Sequence, residues 1–361
     1  MISKLFSLKV SQVDILKFRK QKVLARKGSM QAHKVRLVLL VHGTFAGDDA
    51  LGLFELLEPI NKKLANKLKN KGKRLTNTLV NDVGNYTPEY ADALSHALAD
   101  EIACELFIWS SGNFHLARLE GTIKLAQTLA EKITQHNILN DERILLLGHS
   151  HAGQLFALLT HFLANDAQAQ GLYDIMEKDE ELKAAKSKLV EQLEIIKKVN
   201  LDIVTFGTPI RYSWGKYEKF RLMAIVNHRS NVGVSGLLST RDGDYVQQWG
   251  IEGTDILPPE KITLNDELDA VLDKGRDVSL LLDSLKRETR RHPHYVDGTI
   301  VSETFLINYR DNVVFSIYLL NPFGIPHCIK TLFGHGVYTR NSTMLFNMKF
   351  IIDNWYSRNV K

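Results

Sequence analysis

Short apolar runs alternate with longer stretches of helical spacing along this chain. Leu37-Val-Leu-Leu-Val41, Glu105-Leu-Phe-Ile-Trp109 and Arg143-Ile-Leu-Leu-Leu147 are strand-sized, as are Leu201 to Phe206, Arg221 to Val226 and Phe305 to Tyr309. A continuous apolar run of that length is what a strand buried on both faces requires. A further run, Val313 to Leu319, follows a turn at Arg310-Asp311-Asn312. Between the runs lie segments with helical periodicity. They are Leu51 to Lys71 (interrupted by Pro59), 119–136, Ala152 to Leu163, the charged stretch 165–199, and 265–290 with Gly275 inside it. Residues 228–262 are rich in Gly, Pro and polar side chains and read as a long loop. Strands alternating with helices predict an α/β fold with a mostly parallel sheet covered on both faces. The chemistry of such sheets gathers at the carboxyl ends of the strands.

Composition adds boundaries. The 361 residues are 44% hydrophobic and 24% charged, ordinary for a globular chain with a sizeable core. No run of 18 apolar residues occurs, so no transmembrane helix is expected. The first residues have no apolar signal-peptide core, and the two cysteines, Cys104 and Cys328, fit a reducing compartment. A cytoplasmic location is expected.

Charge is unevenly placed. The net charge is +5, yet residues 1–36 hold ten Lys or Arg against one acid, Asp14, which leaves the rest mildly acidic. We therefore expect a basic extension over 1–35 and a main domain over 36–361. That domain carries a helical insertion at about 165–200 and the long loop at about 228–262. A second basic run spans Lys62 to Arg74. Such patches suit contact with an anionic membrane surface or serve simply as solvated faces. No nucleic-acid motif accompanies them, and no nucleic-acid partner is expected.

The candidate chemistry follows the predicted strands. Gly148-His149-Ser150-His151-Ala152-Gly153 lies between a five-residue strand and an apolar helix. A sharp strand-to-helix turn exposes a serine Oγ and brings the next N–H beside the attacked carbonyl, and it needs small residues two before and two after. Gly148 and Ala152 fill those positions, with alanine where glycine is usual. Ser150 thus reads as a nucleophile, or alternatively as a helix N-cap. His42-Gly43-Thr44-Phe45 ends an earlier strand. A tetrahedral intermediate needs two donors at its oxyanion, and Thr44 and His151 are the candidates. His42, Phe45, Asn113 and His149 are candidate pocket residues, with His149 expected to pack beneath the turn. His-x-His around Ser150 lacks the further ligands a zinc site needs. No metal and no cofactor are expected.

These motifs, with Phe206-Gly207-Thr208-Pro209 and Gly334-His335-Gly336-Val337-Tyr338-Thr339, resemble the α/β-hydrolase superfamily, in particular lipase- and esterase-like serine hydrolases of bacteria. The resemblance covers roughly residues 36–345. It implies an α/β-hydrolase fold with a cap-like helical insertion, and a catalytic triad in the order serine, acid, histidine. Asp244 is the first choice of acid, with Asp255 and Asp242 as rivals on the same loop. His335, flanked by glycines, is the first choice of base, with His327, His292 and His294 as rivals. The implied function is hydrolysis of a carboxylic ester, lipid-like in character, with a small-molecule or lipid ester as partner. A phospholipid or thioester substrate, or a catalytically inactive binding protein on the same fold, remains open.

Overall fold

The computed structural model describes residues 6–8, 29–43, 85–98, 102–209, 211–227, 243–244, 246–247, 261–272, 295–296, 299–300, 302–307, 309 and 334–357. Their centre is a seven-stranded sheet: β1 (Phe6–Leu8), β2 (Val35–Val41), β3 (Ala103–Phe107), β4 (Arg143–His149), β5 (Asn200–Phe206), β6 (Phe220–Asn227) and β9 (Ser302–Ile307). The order is β1-β9-β6-β5-β4-β2-β3, and every pairing is parallel. A separate two-residue pair, β7 (Tyr295–Val296) and β8 (Thr299–Ile300), is antiparallel. The chain is therefore an α/β protein.

The apolar runs explain the layering. Successive strand residues face opposite sides. Leu37, Leu39, Ile144, Leu146, Leu201 and Ile203 enter one core, while Val38, Leu40, Leu145, Leu147, Val204 and Met223 enter the other. The first core is covered by α3 (His115–Gln135), α4 (Ala152–Ala164), α5 (Ala167–Met176), α6 (Glu180–Ile196) and α7 (Ile262–Leu272). The second is covered by α1 (Ser29–Ala32), α2 (Pro88–Ala97) and α8 (Asn341–Ile351), which continues as a π-helical turn over Ile352–Tyr356. Among the described residues no helix is long and apolar enough to cross a membrane.

The stretch at 165–199 is a helical pair. Asp179 breaks it, its carboxylate accepting from the N–H groups of Glu181 and Leu182 at the start of α6. Leu182, Leu189, Leu193 and Ile196 of α6 join the first core, so the pair is packed into the helical layer. Several element boundaries moved; β3, expected over Glu105–Trp109, runs over Ala103–Phe107. α3 starts at His115, because its polar first turn is buried with partners, and β9 runs over Ser302–Ile307, three of whose residues continue the register before the apolar stretch. The expected helix at 51–71, the run Lys62 to Arg74, the run Val313 to Leu319, Cys328, and most of 1–36, 228–262 and 273–290 lie outside the described residues.

Candidate active site

The site begins with one backbone angle. Ser150 sits directly between β4 and α4 with φ 57°, the left-handed region that a serine enters only at a cost of about 1–2 kcal/mol. Three contacts hold it there. Its N–H donates to Phe206 O at 2.8 Å, and its carbonyl accepts from Thr208 Oγ1 at 2.7 Å and from Gly153 N at 3.2 Å. The next strand and its following loop therefore clamp the turn. The helix N-cap is His151, without a side-chain capping bond, so capping does not account for Ser150. The small residues matter sterically. A Cβ at Gly148 would lie 2.3 Å from the Phe156 ring, and Ala152 is fully buried.

Gly43, at the end of β2, approaches the same turn from the other side. A Cβ there would come within 2.5 Å of Ser150 Cβ and 2.8 Å of His149 O. His42 lies beside it, buried. Its Nδ1 is 2.9 Å from Gly43 O and 3.2 Å from Ser111 Oγ, and its carbonyl accepts from Trp109 Nε1 at 2.8 Å. Burial is the main cause that lowers the pKa of the His42 imidazole; its bond to Gly43 opposes this and the Lys124 charge adds to it. Asn113 is buried as well, and its Oδ1 accepts from Arg118 Nη2 at 2.8 Å. Thr44 and Phe45 lie outside the described residues.

Asp244 and His335 come together. His335 Nδ1 is 2.8 Å from Asp244 Oδ2. Tyr338 OH donates to the same oxygen at 2.8 Å, and Gln247 N donates to Oδ1 at 2.8 Å. Nδ1 is placed to donate to the carboxylate, and in a neutral imidazole with that tautomer Nε2 would hold the lone pair. Among the described residues, His335 Nε2 is buried and makes no hydrogen bond. The pair lies against the Ser150 turn. His149 Nε2 contacts His335 O at 3.1 Å, and the two rings are 4.4 Å apart. Gly207, with φ 59°, lets the chain pass between them: a Cβ would meet Asp244 Oδ2 at 2.5 Å and His335 Nδ1 at 3.1 Å. His149 therefore supports the His335 loop from below. Asp242, Asp255, His292, His294 and His327 lie outside the described residues.

Two residues of this group escaped the sequence reading. Tyr338 was quoted within its motif but given no role, although it holds Asp244; burial, then the Asp244 charge, push its phenol well above the ordinary range. Asn227, the last residue of β6, ties the loops together. Its N–H donates to Tyr338 OH at 2.7 Å, its Nδ2 to Gly334 O at 3.0 Å, and its carbonyl accepts from Asp244 N at 2.9 Å. A polar residue closing an apolar strand was the available signal.

His151 is fully enclosed. Burial holds its pKa well below the ordinary histidine value, and the charges of Arg118, His335 and Arg211 add to the effect. It is neutral at pH 7. Among the described residues no group of three or more His, Cys, Asp or Glu side chains is arranged to hold a metal ion. No protein-family model, no curated protein and no solved structure matches the chain.

Proposed function

We propose that the chain is a serine hydrolase of the α/β-hydrolase type, cleaving carboxylic esters with a lipid-like acyl group through an acyl-enzyme on Ser150. The observation that carries this reading is the left-handed backbone of Ser150, φ 57°, at a strand-to-helix turn. Non-glycine residues held in that region cluster at active sites, where the surrounding structure must sustain the strain. The carboxylate–imidazole pair of Asp244 and His335 beside that turn supports it.

In the proposed reaction, Ser150 Oγ attacks the ester carbonyl carbon while His335 Nε2 takes its proton. Asp244 keeps the imidazole in the Nδ1–H tautomer and stabilises the imidazolium. The N–H groups of His151 and Thr44 serve the developing oxyanion, each worth on the order of 3 kcal/mol. The imidazolium then protonates the departing alkoxide, which leaves as an alcohol. Water, deprotonated by the same imidazole, attacks the acyl-enzyme and releases the acid. The basic extension over 1–35 would favour substrates presented at an anionic lipid surface.

The test is a p-nitrophenyl ester series of increasing acyl length, run on the full chain and on Ser150→Ala. Turnover that rises with acyl length and vanishes in Ser150→Ala supports the reading. A folded protein without turnover at any length favours a non-catalytic binding protein on this fold instead.

A further inference from the structure

One short segment, Phe206-Gly207-Thr208 at the end of β5, touches both the Ser150 turn and the acid loop. On the Ser150 side, Phe206 O accepts from Ser150 N at 2.8 Å, and Thr208 Oγ1 donates to Ser150 O at 2.7 Å. Of the three contacts that hold the Ser150 backbone at φ 57°, the Thr208 hydroxyl is the one supplied by a side chain. That hydroxyl has little freedom. A Cβ on Gly153 would lie 2.3 Å from Thr208 Oγ1 and 2.5 Å from its Cγ2, so the buried threonine is packed against the first turn of α4.

On the acid side, Gln247 is fully buried and reaches two ways. Its N–H donates to Asp244 Oδ1 at 2.8 Å, and its Nε2 donates to Thr208 O at 3.3 Å. The reversed carboxamide would set two acceptors against each other, so the network decides which end faces Thr208. Gly207 closes the gap between the two sides, since a Cβ there would meet Asp244 Oδ2 at 2.5 Å. Three hydrogen bonds thus run from Asp244 through Gln247 and Thr208 to the Ser150 carbonyl.

A strained backbone persists where its surroundings over-determine it. Rates fall steeply when reacting groups shift by about 1 Å. Resting on the serine-hydrolase reading, we propose that Thr208 and Gln247 are positioning residues that fix the Ser150 turn relative to the Asp244–His335 pair. The acid loop then helps to sustain the left-handed serine. Both residues act through another: Thr208 through the Ser150 carbonyl, Gln247 through Thr208. Bonds with a purely structural role would stabilise the chain without setting the geometry of the reaction.

The experiment has two arms on the full-length chain. The first measures kcat, KM and Tm with p-nitrophenyl butyrate. Thr208→Val and Gln247→Met are each expected to lower kcat by about tenfold to 10²-fold, with KM changed by less than about twofold. Thr208→Ser keeps the hydroxyl and is expected to restore most of the rate. The double variant Thr208→Val/Gln247→Met is expected to lose no more than the worse single variant, as for residues that act as a unit. Lowered Tm with unchanged kcat, or equal losses in Thr208→Ser and Thr208→Val, would overturn the proposal.

The second arm needs no turnover and follows the backbone amide resonances of Ser150, His151 and His335 by NMR. Gln247→Met is expected to move those of Ser150 and His151, although the substitution lies on the acid loop. Thr208→Val is expected to move that of His335, and Thr208→Ser to leave it near its wild-type position. If no ester is hydrolysed but the turn moves in Gln247→Met, the coupling stands and the hydrolase reading falls. If esters are hydrolysed and the turn does not move, the coupling falls and the hydrolase reading stands. If Gln247→Met does not fold, Thr208→Val against Thr208→Ser decides: an unmoved His335 amide in both rejects the coupling, and movement in Thr208→Val alone supports it.

Discussion

Asp244 and His335 meet through one carboxylate oxygen, Oδ2, at 2.8 Å from Nδ1, and Tyr338 donates to that same oxygen at an equal distance. With Gln247 N on Oδ1, the carboxylate is held at both oxygens and cannot swing away from the imidazole. Asp244→Asn replaces an acceptor by a donor and favours the wrong tautomer. Under the proposed mechanism kcat falls by on the order of 10⁴-fold while the chain stays folded. Tyr338→Phe keeps the His335 contact but removes both the charge-assisted bond to Asp244 and the acceptor of the Asn227 N–H, costing at least about 1.5–3 kcal/mol of stability. Ester kinetics and thermal unfolding on both variants separate the two roles.

Gly43→Ala tests the close approach of the β2 end to the Ser150 turn. The added methyl would sit 2.5 Å from Ser150 Cβ, so either the turn or the loop must shift. The expected cost is about 1–3 kcal/mol, as for other overpacked positions. A displacement of the reacting atoms by about 1 Å is enough to cost about 10²-fold in rate. Full activity together with unchanged stability would show that the two segments are farther apart than the structure has them.

His151 makes stability depend on pH. Its pKa is well below 6.5 in the folded chain, chiefly because burial disfavours its charge. The unfolded chain therefore binds a proton near pH 6.5 that the folded chain refuses. Stability is full above that pH and declines as pH falls towards the folded value, by up to about 1.4 kcal/mol per pH unit for one proton. His42, lowered in the same direction, adds to the slope. His151→Gln should flatten the decline of unfolding free energy between about pH 6.5 and 5. An unchanged slope would mean that His151 takes up its proton while folded.

Asp202 anchors the amino-terminal end of the central strands. It is fully buried and accepts from Arg143 Nη1 at 2.9 Å, Arg221 Nε at 2.7 Å, Arg221 Nη2 at 2.8 Å and Tyr356 OH at 2.6 Å. Arg143, Asp202 and Arg221 all lie within the first three residues of β4, β5 and β6, away from the strand ends that lead to Ser150 and Asp244. Asp202→Ala leaves two guanidinium groups without their carboxylate and should cost about 3–5 kcal/mol. The kcat of the fraction that remains folded should be unaltered. Chemical denaturation with parallel ester assays checks both statements.

The sheet was legible because its strands are buried on both faces. Runs such as Leu37 to Val41 need no alternation to be recognised, and their spacing by helical stretches admits few topologies. The pairing of Asp244 with His335 was legible as order along the chain, each on a loop that follows a strand. What escaped was chemistry that depends on packing. Arg118 stands where the amphipathic pattern of α3 had not yet begun, and its burial is intelligible only with Tyr212 and Asn113 in place. Tyr338 acts through contacts more than ninety residues away in the chain, with Asn227 and with Asp244. No local periodicity encodes such contacts.

The most direct test of the central claim is to treat the full-length chain with a fluorophosphonate and locate the adduct by peptide mass spectrometry. The account predicts one adduct, on Ser150, that is absent in Ser150→Ala and strongly slowed in His335→Ala. Labelling of another residue, or labelling that persists in Ser150→Ala, would contradict it.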